Sequence, residues 1–311
     1  MSFMPESALP ELSPPVRAAL SAGQPVVALE STIISHGLPR PGNLAAAREF
    51  EETLRAAGVT PATIAVVDGV PRAGLEAADL ERIALDDSVV KVSSRDLGFA
   101  VAGKRTAGTT VAATSALAAM AGIRVFATGG LGGVHRGFGE SLDESADLTA
   151  LSRTPITVVS AGVKSILDIP ATLERLETLG VAVVGFGTNR FPAFWLRDSG
   201  QDLDWRADTP EEIAAIMAAR DLLGDTAALL VANPLPPDRQ LDPRLHDRAL
   251  AEALAAAAAA GIRGKAVSPF LLDRIRRATG GVSVNVNLDI ARGNIVLAAR
   301  IATAWARRRP S

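Results

Sequence analysis

Cysteine is absent from the chain. That excludes disulfides, thiolate nucleophiles and thiolate metal sites, so any metal must rest on carboxylates, imidazoles or carbonyl oxygens. A strong charge of either sign is missing too: the formal net charge is −2 and the pI about 6.0. This excludes a general attraction to nucleic acid or acidic membranes and leaves a small anionic substrate open. No membrane span is expected. The nearest approach, Ala249 to Gly261, is too short, carries Glu252 and stops at a glycine, which reads as a soluble helix. The first residues, Met1 to Ser7, lack the basic and apolar stretches of a signal peptide, which points to the cytoplasm. What is present is ordinary for a soluble globular protein: 311 residues, 48% hydrophobic and 21% charged, enough to bury a substantial core.

Lysine is scarce. Only Lys91, Lys104, Lys164 and Lys265 occur, and arginine supplies the other 28 of the 32 basic residues. Where a plain positive charge suffices this chain uses arginine, so each lysine is a candidate for chemistry that guanidinium cannot perform. An amine can lose its proton and attack a carbonyl. Lys164 is the most suggestive of the four. From Ile156 a β-branched run reaches a small-residue turn at Ala161 and Gly162, which reads as a buried strand delivering Lys164 just past its carboxyl end. Ligands of α/β proteins sit there. A lysine that merely covers a helix start fits the same pattern.

The rest of the chain alternates strand-like and helix-like segments. Pro25 to Glu30 reads as a buried strand ending in a carboxylate, followed by a polar loop to Asn43 and a helix from Leu44 to Ala57. Thr63 to Asp68 is a second strand, and Val89 to Val92 a short apolar run that spends an interior position on Lys91. Thr106 to Val111 opens an alanine-rich helix; Thr109, Thr110 and the free N–H groups there suit a phosphate, and equally a plain N-cap. Gly129 to Gly137 breaks the dinucleotide-binding glycine register at His135 and reads as a ligand-lining loop. Asp143 and Asp147 are four residues apart and would share a face if that segment is helical, where they could help hold Mg²⁺ or Mn²⁺; a capping role is equally open. Pro192 to Pro210 has no clear periodicity and is expected to form a flap or a subunit contact. The pattern predicts an α/β fold: a single domain with a largely parallel β-sheet flanked by helices, an α-β-α sandwich over residues 21–311, preceded by an extension and short helix over 1–20.

Seven ordered segments carry a family likeness: LESTIISHG at 29–37, KVSSRD at 91–96, TTVAAT at 109–114, TGGLGGVHRG at 128–137, SADL at 145–148, AGVKSILD at 161–168 and TGG at 279–281. Together they resemble the pseudouridine-5′-phosphate glycosidases, from about residue 20 to residue 306. The resemblance implies reversible cleavage of pseudouridine 5′-phosphate to uracil and ribose 5-phosphate by a homotrimeric α/β enzyme with a divalent metal, usually manganese. It implies Glu30 as proton donor, Lys164 as nucleophile, substrate contacts at Lys91, Val111 and Ser145-Ala146-Asp147, and a metal ligand at Asp143. His135, Arg136 and the Thr109-Thr110 helix start are added here as candidates for the phosphate, and Asn287 for the substrate.

The chemistry fits these residue types. Ribose joins uracil through carbon in pseudouridine, so protonating a leaving heteroatom, the usual glycosidase route, is closed. Opening the sugar is another route: an acid protonates the ring oxygen while an amine attacks the anomeric carbon, and breaking the carbon–carbon bond at the protonated uracil carbon leaves the sugar as an imine of that amine. Gly293 stands where the family usually has the first of two adjacent asparagines. Arg40 and Gly42 replace an aromatic residue and a polar amide, and tyrosine is absent. These departures touch the pocket rim and base recognition. A related C-nucleoside enzyme with a different base, or a non-catalytic sugar-phosphate sensor, therefore stays open, whereas a nucleotide-dependent oxidoreductase is disfavoured by the broken glycine register.

Overall fold

The computed structural model describes residues 10–262 and 267–308, so Lys265 lies outside the described residues. Apolar runs bounded by turns form strands and alanine-rich periodic stretches form helices. The first part of the chain comprises β1 (Glu11–Leu12), α1 (Pro14–Ser21), β2 (Val26–Leu29), α2 (Gly42–Ala56), β3 (Thr60–Val67), β4 (Val70–Ala73) and α3 (Ala77–Leu85). Then come β5 (Val90–Val92), α4 (Leu97–Ala102), β6 (Ala107–Thr109), α5 (Val111–Met120), β7 (Val125–Ala127), α6 (Phe138–Ser141), α7 (Ala146–Leu151) and β8 (Thr157–Ser160). The remainder holds α8 (Ile169–Thr178), β9 (Ala182–Phe186), β10 (Arg206–Ala207), α9 (Pro210–Leu222), β11 (Leu229–Ala232), α10 (Pro243–Ala259), α11 (Val267–Ala278) and α12 (Val282–Arg308).

The sheet runs β1-β4-β3-β2-β7-β8-β11-β9-β10, with β6 pairing β3 and β5 pairing β6. From β3 to β10 every pair along this path is parallel; β4 and β6 are antiparallel to β3. Alternate residues of the central strands feed two cores. Val26, Ala28, Phe126, Val158 and Leu230 pack with residues of α1, α5, α8 and α10. Val27, Leu29, Val125, Ala127, Val159 and Val231 pack with Phe50 and Leu54 of α2, Ile213 and Met217 of α9, and Ile295 and Ile301 of α12. Burial on both faces is why these strands read as continuous apolar runs. The layered, largely parallel architecture is the one the alternation predicts.

Three details differ from the sequence reading. The segment ahead of α5 is a strand, not helix: Ala107–Thr109 pairs with β3 and β5. Asp143 and Asp147 do not share a helical face, because α6 ends at Ser141 and α7 begins at Ala146, leaving Asp143 on the connection. The start of the expected flap is core instead. Ala193, Phe194 and Trp195 are buried, as is Phe191 just ahead of them, whereas Trp205 is exposed.

That buried segment seats on the turn leading to Lys164. Gly162 has φ +78°, and a Cβ there would stand 2.5 Å from the Pro192 carbonyl oxygen and 2.9 Å from the Phe191 ring. Backbone cannot yield as a flexible side chain does. Gly162→Ala should therefore destabilise the protein by about 3 kcal/mol, read as a lower denaturant midpoint at unchanged slope; an unchanged midpoint would refute the clamp.

Candidate active site

Leu29 lies beside Ala127, Ala127 beside Val159, and Val159 beside Val231. The residues that follow them leave the carboxyl edge of the sheet together. The connection from β2 runs to β3 on one side while β7 lies on the other. That reversal opens a crevice at the strand ends, and Glu30 and Thr128 are the first residues past β2 and β7. Thr128, itself buried, donates its hydroxyl to Oε1 of Glu30.

Lys164 follows the turn after β8. Its backbone N–H donates to the Leu131 carbonyl at 3.1 Å, which ties it to the glycine loop beyond β7. Burial pushes the Glu30 carboxyl above its ordinary value of 4.5, against the pull of Lys164, the Thr128 hydroxyl and Lys91 and with a push from Asp147. The Lys91 ammonium is pushed below its ordinary value by burial and by repulsion from Lys164, opposed by Glu30 and Asp147. Lys91 keeps an exposed face, where solvent weakens both the burial and the repulsion. Two ammonium groups and two carboxylates from four separate segments thus act on one another around one crevice.

Asp147 has a structural duty as well. Its Oδ1 accepts from Ala112 N–H and its Oδ2 from Gly132 N–H, both at 2.9 Å, which joins the start of α5 to the glycine loop. Thr110 accepts from Ala113 N–H. Among the described residues, Val111 N–H has no acceptor and is left free at the positive end of α5. Thr109 does not reach the crevice through its side chain. It is fully buried and donates to the Ile64 carbonyl, with Ser31 and Thr114 hydroxyls beside it. Ser145 caps α7, accepting from Asp147 N–H at 3.2 Å, and Ala146 follows as the first residue of that helix.

His135 and Asp143 meet at the rim: His135 Nδ1 is 4.0 Å from Asp143 Oδ2, and His135 N–H donates to the Asp143 carbonyl. Arg136 reaches the Ser165 carbonyl at 3.4 Å. Asn287 accepts through Oδ1 from the buried Trp195 indole N–H, an orientation that leaves its amide NH₂ without a partner among the described residues. His36 lies near Lys91 and Arg40; burial and those two cations push its imidazole below the ordinary value. Two residues were not assigned a role from sequence. Thr128 begins one of the family-like segments and stands as a hydroxyl at a strand end beside a glycine, whereas Asn294, which donates to the Thr128 carbonyl, is visible only as the asparagine next to Gly293.

A metal fits only loosely. Among the described residues no three His, Asp or Glu side chains gather as a cage. Asp143 keeps a partly exposed carboxylate, which suits a hard divalent ion that retains most of its water.

The fold and this crevice define a member of the Indigoidine synthase A like family, whose model matches residues 15–304. Within it, the chain belongs with the pseudouridine-5′-phosphate glycosidases. It is 63% identical to the pseudouridine-5′-phosphate glycosidase of Frankia alni over 295 residues, 95% of this chain and 82% of that protein. It is 60% identical to the Saccharopolyspora erythraea protein of the same name, over 96% of this chain and 98% of the relative. Among solved structures it resembles the prealnumycin C-glycosynthase AlnA in complex with ribulose 5-phosphate, at 36% identity and TM-score 0.90, covering 97% of this chain and 98% of that one. An indigoidine synthase A (IdgA)-like protein from Thermotoga maritima matches at 34% identity and TM-score 0.88, over 99% and 100% of the two chains.

Proposed function

We propose that this protein cleaves the carbon–carbon glycosidic bond of pseudouridine 5′-phosphate reversibly, giving uracil and ribose 5-phosphate. The observation that carries the reading is the placement of Glu30, with its raised carboxyl, in the field of Lys164 and Lys91 at the sheet's crossing point. Glu30 protonates the ribose ring oxygen. The free-base amine of Lys164 attacks the anomeric carbon as the C–O ring bond breaks, giving an open-chain sugar held to lysine as a secondary amine. A proton delivered to the uracil carbon lets the glycosidic bond break with its electron pair passing to the uracil, while the lysine nitrogen's lone pair forms the iminium of ribose 5-phosphate. Water then hydrolyses the remaining imine and releases ribose 5-phosphate and the amine.

Lys91 and the free Val111 N–H, with the Ser145-Ala146-Asp147 segment, hold the phosphate. Thr110 shapes that helix start, His135 closes the rim, and the Asn287 amide donates to a uracil carbonyl. Thr109 supports the site from the core. AlnA was crystallised with ribulose 5-phosphate, a ketose phosphate that cannot close a five-membered ring, and a pocket of this fold accepting an open-chain pentose phosphate supports the ring-opened route. AlnA is a C-glycosynthase, so the fold alone serves bond formation as well as cleavage. The far higher identity to glycosidases favours cleavage for this chain.

Asp143 would hold a hydrated manganese or other divalent ion, which supplies positive charge and ordered water to a phosphate-bearing ligand. The active form is a homotrimer in the cytoplasm. Purified protein loaded with Mn²⁺ is expected to release uracil from pseudouridine 5′-phosphate; absence of release with and without metal refutes the reading and leaves a sensor. Asp143→Ala should lose Mn²⁺ binding by at least about tenfold, read by the electron paramagnetic resonance signal of free Mn²⁺. Unchanged metal uptake in that variant moves the ion elsewhere.

A further inference from the structure

Asn294 is 1% exposed, deep in α12, and every polar atom of its amide is engaged. Its Oδ1 accepts from Asn233 Nδ2 at 2.9 Å, and its Nδ2 donates to the Thr128 carbonyl at 2.7 Å and the Gly129 carbonyl at 3.3 Å. These partners fix which way the amide points. Asn294 therefore has no donor left for a ligand, and its burial keeps one away. Asn233 stands at the carboxyl end of β11 and Thr128 at that of β7, so one side chain spans the strand ends on either side of β8. The anchored carbonyl belongs to the residue whose hydroxyl grips Glu30.

We infer that Asn294 is a positioning residue for Glu30: with Asn233 as its brace, it fixes the Thr128 backbone so that the Thr128 hydroxyl holds Oε1 and leaves Oε2 to carry the proton that is transferred. In a neutral carboxyl one oxygen accepts and the other bears the hydrogen. A donor fixed on Oε1 makes Oε2 the acid oxygen. A helix residue at position 294 thereby orients an acid at position 30, although no atom of it meets the substrate. The neighbouring Gly293 leaves the strut undisturbed, since a Cβ there would meet only Asn233 Nδ2, at 3.8 Å.

This inference rests on the reading of Glu30 as the acid, and its test separates the two. Parent protein is first assayed for uracil release; lack of release refutes the functional reading itself. Given release, Asn294→Ala is expected to lower kcat by about tenfold to a hundredfold while KM changes less than about threefold, as for a displaced catalytic group. The isosteric Asn294→Asp keeps the volume but cannot donate to the two carbonyls, and should show the same loss. Loosening the Thr128 bond also raises the Glu30 carboxyl further, so the alkaline limb of the kcat profile should move to higher pH, which a general loss of packing would not do. Thr128→Val combined with Asn294→Ala should be no slower than the worse single variant, because both act through one bond. A kcat near the parent value, a loss confined to KM, an unmoved alkaline limb, or losses that multiply in the double variant each overturn the assignment.

Discussion

Lys164→Arg is expected to abolish uracil release, with a loss of more than about a thousandfold. The substitution keeps the positive charge and a similar reach but removes an amine that can be free base. Guanidinium holds its proton throughout the accessible pH range and cannot form the imine. Binding should fare better, because the phosphate contacts assigned to Lys91 and Val111 remain; ribose 5-phosphate affinity by calorimetry is expected to stay within about tenfold of the parent. Borohydride reduction makes the test specific. Parent protein with ribose 5-phosphate should gain the mass of a reduced sugar-phosphate adduct on the peptide containing Lys164, and the variant should gain none there. Turnover at the parent rate in Lys164→Arg would remove the imine from the mechanism, whatever the fate of the substrate assignment.

Lys164 was legible in the sequence because two independent signals met on it: a chain that prefers arginine, and a β-branched run ending in small residues. Glu30 was legible as the last residue of an apolar strand. Both follow from local rules, since a parallel strand buried on two faces must present its chemistry at its carboxyl end. Relations between strands were not legible. That Glu30 lies beside Thr128 depends on β2 pairing with β7, 98 residues on, and no local pattern encodes a register. Asp143 and Asp147 had the spacing of a helical face, but Asp143 lies on the connection between α6 and α7, and Asp147 instead ties α5 to the glycine loop. Thr109 looked like a phosphate ligand because a hydroxyl at a helix start has that look. Its burial comes from β6 pairing with β3, a strand hidden in three small residues. Phe191 to Trp195 escaped notice as core because the segment has no periodic apolar face of its own; Phe191 meets the Gly162 turn, and Trp195 lies against His246 of α10 and donates to α12.

Glu30→Gln should produce the opposite signs in activity and stability. The amide keeps the size and the acceptor for the Thr128 hydroxyl but has no proton to give, so turnover should fall by more than about a thousandfold. Glu30→Asp, which keeps the acid but withdraws it by one methylene, should retain more activity than the amide and the same form of pH profile. Because burial holds the parent carboxyl above 4.5, the acid stays protonated to higher pH than an ordinary glutamate, and kcat/KM should fall as pH rises through that raised value. Stability follows the same proton. Below the ordinary value both folded and unfolded chains are protonated and the group contributes nothing. As pH rises past 4.5 the unfolded carboxyl ionises first, so the parent loses stability until the folded carboxyl ionises too, and the loss is constant above that point. The amide carries no such cost. Thermal unfolding should therefore place Glu30→Gln above the parent near neutral pH, by roughly 2–4 °C for each kcal/mol recovered, with the two curves converging at acid pH. A variant less stable than the parent at neutral pH would mean that Glu30 is ionised there and held by Lys164 and Lys91, and the general-acid role would then pass to another group.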